Sequence, residues 1–265
     1  MRRTILLAAA LWIACPGAGA RAGAAPPTPV IVELFTSEGC SDCPPADLLL
    51  DKLIATQPVT GADIIALGQH VDYWDRLGWK DRFSSAALTR RQQLYQTRFG
   101  TESIYTPQMV VDGRAEFVGS DAGAARKAIE KTLTAPHGEM KIDPLRISQA
   151  RDRAGDIRVV HVSVTAAGLP LIGRGDQADI VVMVTESGLS TEVKHGENHG
   201  KVLRHAPVVR VLSTMGHVPA DGSLASAAAD IPLDRTWQVD RLSVVAFVQE
   251  QRGRTIIASA SARLK

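Results

Sequence analysis

Val30-Ile31-Val32-Glu33-Leu34-Phe35-Thr36-Ser37-Glu38-Gly39-Cys40-Ser41-Asp42-Cys43-Pro44-Pro45 is the stretch on which the reading of this chain turns. Residues 30–35 are apolar and rich in β-branched side chains, the composition of a short buried strand. A turn through Thr36 to Gly39 follows. Pro44-Pro45 then opens a helix, since proline is tolerated in the first turn. Leu49/Leu53 and Leu50/Ile54 supply its i, i+4 apolar stripe. The two cysteines therefore stand between a strand end and a helix start, where sulfurs three positions apart can close a disulfide with little backbone movement. The helix mouth offers free N–H groups and a positive dipole end, which favour a thiolate on Cys40. Cys43, one turn in, is then the resolving thiol that releases a mixed disulfide.

Working outward, Asp63 to Val71 reads as a second strand and Phe83 to Phe99 as a helix stopped by Gly100. Pro107 to Val111 is a third strand, Asp112-Gly113 a hairpin turn into Ala115 to Val118, and Ser120 or Asp121 the cap of a helix reaching Leu133. The order β-α-β-α-β-β-α is that of thioredoxin. Ala135-Pro136-His137-Gly138 reads as a linker. Beyond it come short strands at Ile157–Val164, Ile180–Thr185, Val208–Leu212, Leu242–Val248 and Thr255–Ala262, with a hairpin at Gln251 to Arg254. The expected architecture is an α/β thioredoxin-like domain over residues 28–135, followed by an antiparallel β-sandwich-like domain over residues 138–265.

Other residues join the cysteines as candidates. A proline opening a strand costs a ladder donor. In thioredoxin-like folds a cis proline lies against the disulfide and aligns an extended peptide, so Pro107 with Thr106 and Tyr105 is expected to present substrate. Glu33 is either a buried proton acceptor for Cys43 or a salt-bridged edge residue. His70 and Asp72, after the second strand, could shuttle a proton to a leaving thiolate, or simply cap a loop. Trp74 and Trp79 could wall the site. Glu38 and Asp42, within two residues of Cys40, are expected to oppose thiolate formation and set the pair toward reduction or isomerisation. Arg90, Arg91 and Arg98 on the second helix read as a solvated face or an acidic-partner site. His195 and His199 have helical metal-ligand spacing, but Gly196 and Gly200 argue for a loop. Glu197 and Asn198 are expected to fix that loop by side-chain hydrogen bonds, and the loop is expected to pack on the first domain near the cysteines.

Composition bounds the function. The 265 residues are 45% hydrophobic and 22% charged, typical of globular chains, and three cysteines are too few for a disulfide scaffold. Met1-Arg2-Arg3-Thr4, the apolar run Ile5 to Ala14, and small residues at Ala18-Gly19-Ala20 or Ala20-Arg21-Ala22 have the layout of a secretory signal peptide over residues 1–22. A lipoprotein signal ending at Cys15 fits less well, with Trp12 where leucine belongs. Without residues 1–22 the chain keeps 27 basic against 28 acidic side chains, and no basic runs, so nucleic acid is not an expected partner. No later segment reads as a membrane span. Periplasmic or secreted localisation follows, with Cys40 and Cys43 as the mature chain's cysteines.

Val32 to Asp47, His70-Val71-Asp72-Tyr73-Trp74-Asp75, Gly78-Trp79, Tyr105-Thr106-Pro107-Gln108 with Val111-Asp112-Gly113, and Gly196-Glu197-Asn198 together resemble an exported thioredoxin-like family of unknown function, across roughly residues 28–262. Asp42 stands where a small residue is expected. The resemblance implies a thioredoxin-like fold and a redox-type cysteine pair. The sequence thus reads as an exported thiol–disulfide oxidoreductase-like protein acting through its CxxC on protein thiols or disulfides, with no organic cofactor. Two alternatives stay open: a non-catalytic binding module with a structural disulfide, and a copper carrier using both thiolates and a histidine such as His70.

Overall fold

Alternation along the first strand, β1 (Thr28–Thr36), sets the layers of the computed structural model, which describes residues 26–219 and 224–264. Val30, Val32 and Leu34 pack under the helix α1 (Pro44–Thr56), while Ile31 and Phe35 turn to the opposite face. β2 (Ala62–His70) runs parallel to β1 and pairs His70 with Thr36. Then come α2 (Ala86–Phe99), β3 (Gln108–Val111), β4 (Ala115–Val118) and α3 (Ala122–Thr132). α2 starts three residues later than its pattern predicts, because Ser85 is extended and its side chain accepts from Ala87 N at 3.2 Å. Asp121 caps α3, accepting from Ala124 N at 2.8 Å. At the β3–β4 turn Asp112 (φ 44°) and Gly113 (φ 62°) are both left-handed, the geometry whose twist suits a tight hairpin. The signal peptide and its cleavage sites lie outside the described residues.

The second half contributes β5 (Glu139–Ile142), β6 (Arg146–Asp152), β7 (Gly155–Ala167), β8 (Ala178–Glu186), β9 (Ser190–Glu192), β10 (Val202–Arg204), β11 (Val208–His217), β12 (Ala225–Leu233), β13 (Leu242–Glu250) and β14 (Ile256–Arg263). These strands do not close on themselves as a separate sandwich. Four of them extend the first sheet into one eight-stranded sheet, ordered β14-β13-β8-β11-β2-β1-β3-β4. The seam is one parallel pairing, Val208 with Gly68, where Gly68 N also donates to Pro207 O at 2.8 Å. A Cβ on residue 68 would stand 3.1 Å from that carbonyl, so glycine allows the close approach. A second sheet, β12-β7-β5 with β6 also on β7, packs against the β8/β13/β14 end through Val160, Val162, Ile180, Val182, Val244 and Ala246.

α1, α3 and the second sheet thus share one side of the long sheet, and α2 lies on the other. There Leu88 packs among Ile65 and Leu67 from the first half and Val181, Val209 and Phe247 from the second. The seam is short in hydrogen bonds but is covered by this shared apolar layer.

Candidate functional site

The cysteines sit at the end of β1 and the start of α1, with Cys43 as the residue before the first helical turn. Cys40 and Cys43 are at disulfide distance, their Cα atoms 5.4 Å apart. The donors expected at the helix mouth are largely occupied. Pro44 and Pro45 have no N–H, while Ala46 N and Asp47 N donate to Cys43 O at 2.9 and 3.1 Å. Ser41 N donates to Glu197 Oε2 at 3.1 Å.

The pair is covered. Cys40 is 1% exposed and Cys43 0%. The Thr106–Pro107 bond is cis, and Thr106 O lies 3.9 Å from Cys40 Sγ. Trp74 donates through Nε1 to Thr106 Oγ1 at 2.8 Å and packs beside Gly39, where a Cβ would come within 3.3 Å of Trp74 Cβ. The rest of the cover comes from the loop between β9 and β10, residues 193–201. Asn198 is fully buried and donates to Glu38 O at 2.9 Å and Cys40 O at 2.8 Å, while Lys201 Nζ donates to its Oδ1 at 2.9 Å. Gly196 (φ 77°) rests on Trp79, with room for no more than a hydrogen, because a Cβ would lie 3.1 Å from Trp79 Cβ. The loop expected to approach the cysteines therefore does so through the two residues singled out for it, Glu197 and Asn198.

Beneath the cysteines lies a buried polar cluster that the sequence pattern only half reveals. His70 Nδ1 pairs with Asp81 Oδ2 at 2.6 Å, and Asp81 Oδ2 also accepts from Glu38 N at 2.9 Å. Glu38 takes Trp79 Nε1 on Oε2 at 2.7 Å. Its Oε1 lies 3.1 Å from His205 Nε2, close enough for an ion pair but without hydrogen-bond alignment. Asp47, one turn beyond Cys43 on α1, accepts from Thr36 Oγ1 at 2.9 Å. Burial pushes Asp47 up to about 6, against the pull of His70, His205 and the Thr36 hydroxyl. Burial opposes charge on His70 and Asp81 too, but each favours the other's ion, holding the imidazole above and the carboxyl below its ordinary value. Glu38 Oε1, His70 Nε2 and both ring nitrogens of His205 are buried with no hydrogen-bond partner among the described residues.

Other candidates fall elsewhere. Glu33 is fully buried but points away from α1. Arg91 grips it through Nε at 2.5 Å and Nη2 at 2.9 Å, and Tyr95 OH and Gln69 Nε2 donate to it as well. It cannot serve Cys43, because alternation puts it on the α2 face; the buried acids on the cysteine side are Glu38, Asp47 and Asp81. Asp72 is tied to α2, its N and Oδ1 both bonded to Thr89 Oγ1 at 3.1 and 2.6 Å. Tyr105 donates its hydroxyl to Glu116 Oε2 at 2.6 Å, toward β4. Asp42 is exposed. His195 and His199 are exposed on the covering loop, with ring centroids 6.4 Å apart. Among the described residues no group of three or more His, Cys, Asp or Glu side chains is arranged to hold a metal ion. His70, the histidine offered as a copper ligand, has its Nδ1 engaged by Asp81. No helix among those residues is long and apolar enough to cross a membrane.

A family model described as Protein of unknown function (DUF1223) matches residues 31–249. A crystal structure of a protein from Agrobacterium tumefaciens is similar with a TM-score of 0.61 and 26% identity, over 91% of this chain and 96% of that one. A β-glucosidase from Kluyveromyces marxianus, in complex with glucose, aligns at a TM-score of 0.25 and 12% identity, over 49% of this chain and 14% of that one, too slight a likeness to carry any argument. No curated protein matches the sequence.

Proposed function

The chain belongs to the DUF1223 family of proteins of unknown function, and from that premise we propose that it is an exported thiol–disulfide protein. Its first half is a thioredoxin-like fold, and Cys40 and Cys43 exchange with thiols or disulfides of other proteins in the periplasm or outside the cell. In this reading Cys40 attacks, Cys43 resolves, and the segment at Thr106–Pro107 receives the substrate backbone.

The observation that carries the reading is the shortness of the ring. The bridge spans a sequence separation of 3. Closing so small a loop removes little entropy from the unfolded chain, about 2 kcal/mol against almost 5 for a hundred-residue loop. As a staple the pair does little. As a redox pair at a strand end, over buried His70, Asp81, Asp47 and Glu38, it is well placed to break and re-form.

Burial favours a second reading, a binding module whose bridge is permanent, because a sulfur 1% exposed offers an incoming thiolate no approach while the 193–201 loop is down. One experiment separates the two. Cys43→Ser, expressed in its own compartment, is expected to accumulate mixed disulfides through Cys40, visible on non-reducing gels. A wild-type reduction potential below roughly −300 mV together with no trapped adducts would leave the structural bridge.

A further inference from the structure

A second site lies on the opposite face of the long sheet, far from any role in the cysteine chemistry. A groove of about 570 Å³ runs between α2 and the strands β8 and β11, lined among others by Arg90, Arg91, Leu94, Val181, Leu212 and Arg254. Its volume is within the range of small-molecule sites. The floor is a buried hydrogen-bonded network with one cation too many. Arg91 is neutralised by Glu33, which it grips through two nitrogens. Arg254, at the β13–β14 turn, is 9% exposed and has no carboxylate within ion-pair distance among the described residues. Its Nη2 donates to the neutral Gln249 Oε1 at 2.9 Å, an acceptor it shares with Arg91 Nη1. Its Nε is buried with no acceptor among the described residues.

A guanidinium held out of water beside a second guanidinium is costly unless an anion joins it. Arg254 is also held there rigidly. Its backbone is left-handed (φ 55°), and its carbonyl lies so close to Gly113 that a Cβ on that glycine would come within 1.8 Å. Arg90, exposed on α2, adds positive charge at the rim. The acid on the lining, Asp179, is engaged by His217 Nδ1 at 2.7 Å and Gln251 Nε2 at 2.8 Å. The wall between is apolar: Leu94 is 48% exposed, and Val181 and Leu212 lie beside it.

We propose that this groove binds a small organic carboxylate, its charged end on Arg254 and Arg90 and its apolar body along Leu94, Val181 and Leu212. The site gives a function to Arg90 of α2, which the cysteine chemistry does not use, and it stands whether or not the disulfide exchanges.

Isothermal titration of the full chain with decanoate, decanol and inorganic phosphate tests it. Decanoate is expected to bind one per chain and decanol at least about tenfold more weakly, the worth of a hydrogen bond to a charged group. Arg254→Met is expected to lose a similar factor, and Arg90→Ala, on the surface and safe for folding, a few-fold. Absence of decanoate binding, equal binding of decanol, or phosphate binding as tight as decanoate overturns the proposal. So does unchanged decanoate affinity in folded Arg254→Met or, should that variant not fold, in Arg90→Ala.

Discussion

Asn198→Ala should uncover the disulfide without dismantling the protein. The amide bridges Glu38 O and Cys40 O, at 2.9 and 2.8 Å, from a fully buried position. Among the described residues Glu38 O has no other partner, whereas Cys40 O also accepts from Cys43 N at 3.3 Å. Orphaning the first carbonyl costs about 1–3 kcal/mol and weakening the second about 1, or roughly 2–4 kcal/mol together. The open loop regains water on all these groups, so the cost falls on the closed state. If the loop opens on its own, its open population rises about 30- to 700-fold. The assay is the rate at which dithiothreitol reduces Cys40–Cys43, measured beside global stability in urea. The expected result is faster reduction by at least about tenfold, exceeding what the loss of global stability accounts for. A reduction rate within twofold of wild type, in a variant with the expected loss of stability, would show that thiols reach the sulfurs by another route.

Asp47→Asn probes the buried cluster through pH. Asp47 titrates at about 6 when folded against an ordinary 3.8, so its protonated form stabilises the fold below about pH 3.8 and that contribution is lost as pH rises through 6. The difference is about 3 kcal/mol, so the variant, which keeps an oxygen for Thr36 Oγ1, should be more stable than wild type in urea at pH 7 by up to that amount, and little different at pH 4. An equal gain at both pH values would trace the effect to something other than the carboxylate's charge. Gly113→Ala pushes a methyl group against Arg254 O in a left-handed position and should cost about 2–4 kcal/mol of stability, read from the urea midpoint; a loss under 1 kcal/mol would mean the two hairpins part easily.

Local chemistry was the legible part. Pro44-Pro45, Gly100, Asp112-Gly113 and Asp121 each mark an element end by a backbone requirement confined to a few residues, and the helices end or begin beside them. Strand β12 (Ala225–Leu233) left no such trace: its alanines lack β propensity, Pro232 argues against a strand, and pairing with β7 overrides both. Glu33 was readable as a buried acid, but its register was not, and one position decides the face. Asp81 and His205 join the cluster through contacts no spacing encodes, since His205 meets Glu38 from the far half of the chain. Asp47 did carry a signal, an acid four residues after Cys43 on the same helical face. The merged sheet rests on a single long-range pairing at Gly68, for which residues near 138 offered only a linker's composition.

Timing is a consequence of how the cover is built. Glu197 and Asn198 lie 156 and 158 positions after the atoms they hold, so a ribosome finishes Cys40 and Cys43 long before it makes their roof. At usual rates of synthesis that interval is on the order of ten seconds. Until the second half has folded, both thiols therefore stand open to any oxidant the chain meets, and the later strands close over the sulfurs only afterwards.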